Sequence, residues 1–123
     1  MREKSRSYKD LLVWQKSHKL VLEVYEMTKK FPKEEVFGLT SQIRRAAVLV
    51  PANIAECFAR KGIKDKNRFY NMAAGSLNEV GYYLILSKNL GYILHSGLFD
   101  KVDEIAKMLK SYSKTLENNP AKY

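Results

Sequence analysis

A single cysteine, Cys57, gives this chain nothing to pair with internally, which excludes a disulfide scaffold. No paired-cysteine spacing suited to zinc occurs, and neither a glycine-rich phosphate loop nor a nucleophile elbow is present. Apolar runs of membrane-spanning length are missing, as is a signal peptide. The expected compartment is therefore the cytoplasm, and a membrane is not among the expected partners. Acidic residues are scarce too, since 13 Asp and Glu face 22 Lys and Arg for a formal charge of +9. Such an excess says little about fold but favours polyanionic partners. The alternative is a surface that is lysine-rich for solubility alone.

Residues that could carry catalysis are equally sparse. The two histidines, His18 and His95, lack partners, and His18 falls on the edge of an apolar helical stripe, where a structural role is expected. Asp103 and Glu104 are adjacent, so on a helix they point about 100° apart and do not converge on one substrate atom. Cys57 is buried by pattern and has no nearby base, the usual setting of an inert thiol. The sequence thus predicts no catalytic residues, no metal site and no cofactor. An enzyme would need a site assembled from scattered residues or between subunits.

What is present is helical periodicity. With 123 residues, 46% of them hydrophobic, the chain can bury one core, and a single domain is expected over 1–123. Within it, a short basic arm covers residues 1–9, and a flexible tail covers about residues 118–123. Val13, Trp14, Ser17, His18, Leu20, Val21, Val24, Tyr25 and Met27 form one wide stripe, ended by Phe31 and Pro32. A second pattern runs from about Leu39 to Arg60 through Leu39, Ile43, Ala46, Ala47, Val50, Ile54 and Cys57. Pro51 lies inside it and predicts a kink near Ala47 to Pro51. A third runs from about Asp65 to Leu90 through Phe69, Ala73, Ser76, Leu77, Val80, Tyr83, Leu84 and Ser87, with Gly91 as its stop. The fourth is the most regular: Leu98, Val102, Ile105, Leu109, Tyr112 and Leu116, with Ser96 as N-cap. Four helices with short connections predict an all-α, up-down-up-down antiparallel four-helix bundle.

The second helix carries a further apolar face. Projection at about 100° per residue puts Val48, Leu49, Pro51, Ala52 and Ala55 away from its core stripe, with few charges among them. Self-association is the simplest cover, and Arg45, Val48, Leu49, Ala52 and Glu56 are the expected oligomer interface. Arg45 and Glu56 stand about 16 Å apart along the axis, too far to pair within one helix. Tight packing of small residues within one bundle is the alternative. Gln42, Arg44, Asn53 and Glu79 are expected as structural polar residues, Asn53 by tying down the backbone beside Pro51.

The positive charge collects at one end. In an up-down-up-down bundle the N-terminal arm, the connection between the second and third helices, and the C-terminus come together. Residues 2–10, 60–68 and 110–123 carry +2, +4 and +2, which is +8 of the total +9. Arg2, Lys4, Arg6, Lys9, Arg60, Lys61, Lys64, Lys66, Arg68, Lys110 and Lys114 are the expected nucleic-acid contacts, since such a patch releases counterions on meeting phosphates. Tyr8, Phe69, Tyr70, Tyr112 and Tyr123 lie near it and could stack on unpaired bases, although core or rim places suit Phe69 and Tyr112 better.

These segments also resemble a family. Tyr8, Lys9, Asp10, Leu11, Val13, Trp14 and Gln15, the Phe31–Pro32 stop, the run Gln42 to Ala47, the run Pro51 to Glu56, and Ser76, Leu77 and Glu79 are similar to the four-helix bundle proteins encoded in intervening sequences of bacterial 23S ribosomal RNA genes. The resemblance covers nearly the whole chain. It implies a homo-oligomeric bundle, a pentamer, with a basic surface and no known catalytic activity. The family in turn resembles the accessory proteins of diversity-generating retroelements, which engage nucleic acid and a reverse transcriptase. Leu49 stands where the family often has serine, and Cys57 where it often has glycine. The reading is a non-enzymatic oligomer binding structured RNA or DNA through its basic end; the alternative is an adaptor for an acidic or helical protein partner.

Overall fold

The computed structural model describes residues 6–94 and 96–118. Helix α1 spans Leu12–Thr28, α2 Leu39–Ala59, α3 Ile63–Asn89 and α4 Leu98–Asn118, with 3-10 turns at Tyr8–Asp10 and Lys33–Glu35. No strand occurs among the described residues. Each helix packs on the next in chain order, and α4 closes against α1. Paired charges across that closing seam give its direction: Lys101 meets Glu23 and, further along, Lys16 meets Glu104 at 3.3 Å, so residue numbers rise on one helix as they fall on the other. The all-α, up-down-up-down four-helix bundle read from the periodicity is the fold observed.

Local chemistry sets the helix ends. The Ser7 hydroxyl accepts from the Lys9 amide and the Asp10 carboxylate accepts from the Ser7 amide, which closes the first turn ahead of α1. At its far end α1 stops at Thr28, before Pro32 demands it. The chain tightens there into i to i+3 bonds, Lys30 N–H to Met27 O at 3.3 Å and Phe31 N–H to Thr28 O at 3.1 Å. Gly91, at φ +80°, ends α3 as expected: its amide donates to Lys88 O and that of Tyr92 to Ser87 O, a pairing that needs the left-handed conformation glycine adopts freely. The Ser96 hydroxyl accepts from the Leu98 amide at the start of α4.

Helix α2 continues through Pro51 from Leu39 to Ala59. Proline supplies no amide there, and Asn53 Nδ2 donates to Leu49 O at 2.8 Å in the same turn, adding a side-chain bond to the weakened ladder. Pro51 itself is buried, not on the outer face where projection put it. One residue past Val50, it sits on the flank of the core stripe, and α2 has a helix on each flank, α1 and α3.

All four helices feed one core, in which Leu20, Ile43, Val50, Val80, Leu84 and Ile105 are fully buried. Three buried hydroxyls satisfy themselves on the carbonyl one turn back: Ser17 on Val13, Thr28 on Val24 and Ser87 on Tyr83. Thr40, only 7% exposed, does not, and its Oγ1 has no hydrogen-bond partner. An unpartnered buried hydroxyl costs stability, so Thr40→Val should raise unfolding free energy by about 1 kcal/mol. A shift of the urea midpoint to higher concentration would show it; a lower midpoint would mean that the hydroxyl finds a partner in solution.

Candidate nucleic-acid interface

The first turn before α1, the three-residue link from α2 to α3, and the end of α4 share one end of the bundle. Arg6, Lys9, Lys61, Lys64, Lys110 and Lys114 stand there, and none has an ion-pair partner among the described residues. Arg2 and Lys4 lie outside the described residues, as do Tyr123 and His95.

Three of the expected phosphate contacts are engaged by the protein itself. Lys66 is 1% exposed, and its ammonium donates to Cys57 O at 3.0 Å and Phe58 O at 3.1 Å. Those carbonyls belong to the last turn of α2, whose acceptors have no partner inside the helix. A cation there also meets the negative end of the helix dipole. Lys66 is therefore a cap on α2 and does not belong to the phosphate-facing set. Burial pushes its pKa down, partly offset by Cys57, and burial pushes the Cys57 thiol up. Its place was readable, because Lys66 lies seven residues before Ala73 and so continues the apolar stripe of α3. Charge counting treated it as one more lysine.

Arg60 and Arg68 are partly committed. Their guanidinium carbons sit 4.5 and 4.6 Å from the centroid of the Phe69 ring. Arg60 also bonds Glu56 at 2.8 Å, and Arg68 lies 3.6 Å from Asp65. Phe69 is thus a spacer that holds two cations at fixed positions on the rim. Tyr70 and Tyr112 are half-buried and pack against the core.

Sequence reasoning missed an aromatic ladder beside this end. Tyr8 meets Trp14 edge to face at 5.1 Å, and Trp14 stacks on His18 at 5.2 Å with the rings 8° from parallel. His18 is exposed, contrary to its expected structural place. Spacing of four residues puts Trp14 and His18 one above the other, so their mutual stacking was legible; which side of the stripe faces water was not.

The outer face of α2 shows the expected mixture. Arg45, Val48, Ala52 and Glu56 are exposed and Leu49 is half-buried. Glu56 has an intrachain partner after all, Arg60 one turn on, whereas Arg45 has no ion-pair partner among the described residues. Gln42 and Glu79 are also exposed, and their side chains make no hydrogen bond among the described residues. Arg44 instead reaches α1, donating from Nε to Thr28 Oγ1 at 2.7 Å.

A model of the 23S rRNA-intervening sequence protein family matches residues 9–111. The chain belongs to that family. The matched stretch includes Lys9, the Arg60–Arg68 segment and Lys110, and leaves Arg6 and Lys114 outside it. Among solved structures, the chain is similar to a protein of unknown function from the S23 ribosomal protein family of Bacteroides thetaiotaomicron. The two are 26% identical, the match covers 86% of this chain and 98% of that one, and the TM-score is 0.77. No curated protein matches. Among the described residues no group of three His, Cys, Asp or Glu could hold a metal ion, and no helix is long and apolar enough to cross a membrane.

Proposed function

We propose that this bundle acts by binding, with nucleic acid held at its lysine-rich end and copies of itself held along the outer face of α2. The observation that carries the first half is the set of unpaired cations gathered by topology: Lys9, Lys61, Lys64, Lys110 and Lys114, with Arg60 and Arg68 fixed on Phe69 beside them. The lysines are point charges at the ends of flexible stems, suited to phosphates and blind to base sequence. Trp14 and His18 add ring faces nearby on which unpaired bases could stack. A structured RNA with single-stranded segments fits that combination better than plain duplex.

The test is fluorescence anisotropy with a structured RNA and a duplex DNA of equal length across a salt series. Reversing Lys61, Lys64, Lys110 and Lys114 to Glu should abolish measurable binding of both at physiological salt. For DNA, single reversals should flatten the salt dependence by about 0.9 for each phosphate no longer neutralised. Unchanged affinity in the fourfold variant would sink the reading. In that event the exposed apolar residues of α2 and α3 would favour the second one, an adaptor for an acidic or helical protein.

A further inference from the structure

At the opposite end of the bundle, the segment joining α1 to α2 folds beside the first turn of α2 and leaves a cleft of about 510 Å³. Four cations line it, Lys29, Lys33, Arg44 and Arg45, and no carboxylate does. We infer that this cleft is a binding site for a phosphoryl group carried by a small soluble ligand, separate from the lysine-rich end.

Arg44 is the residue that makes it a built site. Its Nε donates to Thr28 Oγ1 at 2.7 Å, while the Thr28 hydroxyl spends its own proton on Val24 O at 2.8 Å. A second bond runs from Nη2 to Tyr25 O at 3.4 Å, and the guanidinium carbon lies 4.5 Å from the centroid of the Tyr25 ring. Two of the guanidinium's five N–H groups are thereby used, its orientation is fixed, and the others have no protein acceptor among the described residues. A planar fork held in this way matches the oxygens of a phosphoryl group. Lys33 and Arg45 have no ion-pair partner among the described residues, and Lys29 has only the exposed Glu26 at 3.0 Å, a pairing that solvent weakens.

Thr40 lines the same cleft but keeps its hydroxyl oxygen buried, so the cations alone meet an incoming anion. Four like charges disfavour the empty protein, and one anion relieves them. The volume falls within the usual range of ligand pockets, about 300–1,000 Å³, which leaves room for an organic body beyond the phosphoryl group.

Calorimetry on the whole protein in low salt tests this with two probes, inorganic pyrophosphate and ADP. Binding of either supports the site. Equal affinities would identify the phosphate alone as the ligand, and tighter ADP binding would point to a nucleotide. Arg44→Gln should weaken binding by about tenfold or more, as the loss of a charge-assisted hydrogen bond implies. Lys33→Ala touches no structural contact and should weaken it severalfold without changing the melting temperature. Lys61→Ala with Lys64→Ala, at the other end, should leave it unchanged. Absence of binding by both probes at millimolar concentration would overturn the assignment, as would binding indifferent to Arg44 and Lys33, or abolished with Lys61 and Lys64. Nucleic-acid binding is scored by the opposite set of substitutions, so either site can fail alone.

Discussion

Lys66→Ala should cost about 3–5 kcal/mol of unfolding free energy, whereas Lys64→Ala, two residues earlier, should stay within about 0.5 kcal/mol. The first substitution deletes a buried four-carbon stem and strips two carbonyls, Cys57 O and Phe58 O, of their donor. The second removes an exposed charge. Lys66→Met separates the two effects, because it keeps most of the stem and leaves the carbonyls bare; about 1–3 kcal/mol should remain. A buried ammonium is penalised by desolvation, and one might expect an apolar replacement to be neutral. The lowered pKa of Lys66 compares the charged with the neutral amine, however, and both of those can donate to the carbonyls while methionine cannot. The same shift fixes a pH dependence. With a folded pKa below the ordinary 10.5, the unfolded chain holds its proton longer, so the contribution of Lys66 to stability grows as pH rises through the window just below 10.5. Urea unfolding of wild type and Lys66→Met at several pH values should show their difference widening with pH. Equal stability of the two proteins throughout would mean that the α2 carbonyls are satisfied by water.

The case of Lys66 shows where the sequence was legible and where it was not. Apolar spacing located all four helices, because burial of a stripe leaves a period that chemistry on the surface does not erase. Gly91 and Ser96 marked real ends for the same reason: a left-handed turn and an N-cap each demand a narrow set of residues. A lysine carries no such mark, since its long stem allows the charge to lie in water or on a helix end. Only its register on the α3 stripe distinguished Lys66 from Lys64. Arg60 and Arg68 were likewise legible as charges but not as a pair stacked on Phe69, which takes the turn between α2 and α3 to create. The cleft beside Arg44 was not legible at all. Lys29 and Lys33 belong to a connection whose path is set by Phe31 packing against Tyr92 from the other connection, at 5.4 Å, and by Tyr92 donating to Glu35 at 2.7 Å. Nothing in local spacing announces contacts between residues so far apart in the chain.

Replacing Val48 and Ala52 together by Asp should convert an oligomer into single chains of 14.2 kDa, measured by light scattering after size exclusion. Both residues are exposed in the single chain, so the substitutions leave its core untouched, and its helix content by circular dichroism should be unchanged. In an interface they would bury two unpaired carboxylates per copy. Loss of the oligomer should then lower nucleic-acid affinity by about 10²–10⁴, because binding by several linked basic ends becomes binding by one. A wild-type protein that already runs as a single chain would sink this reading, and so would a variant that keeps the wild-type mass. Charge makes the two associations interdependent. Each copy brings another +9, so the free oligomer is opposed by self-repulsion that a polyanion relieves. Salt should therefore act in opposite directions, tightening the free oligomer by screening while weakening its hold on nucleic acid by counterion competition. Nucleic acid added in low salt should in turn shift dilute single chains toward the assembled form, since each ligand must favour the state that the other prefers.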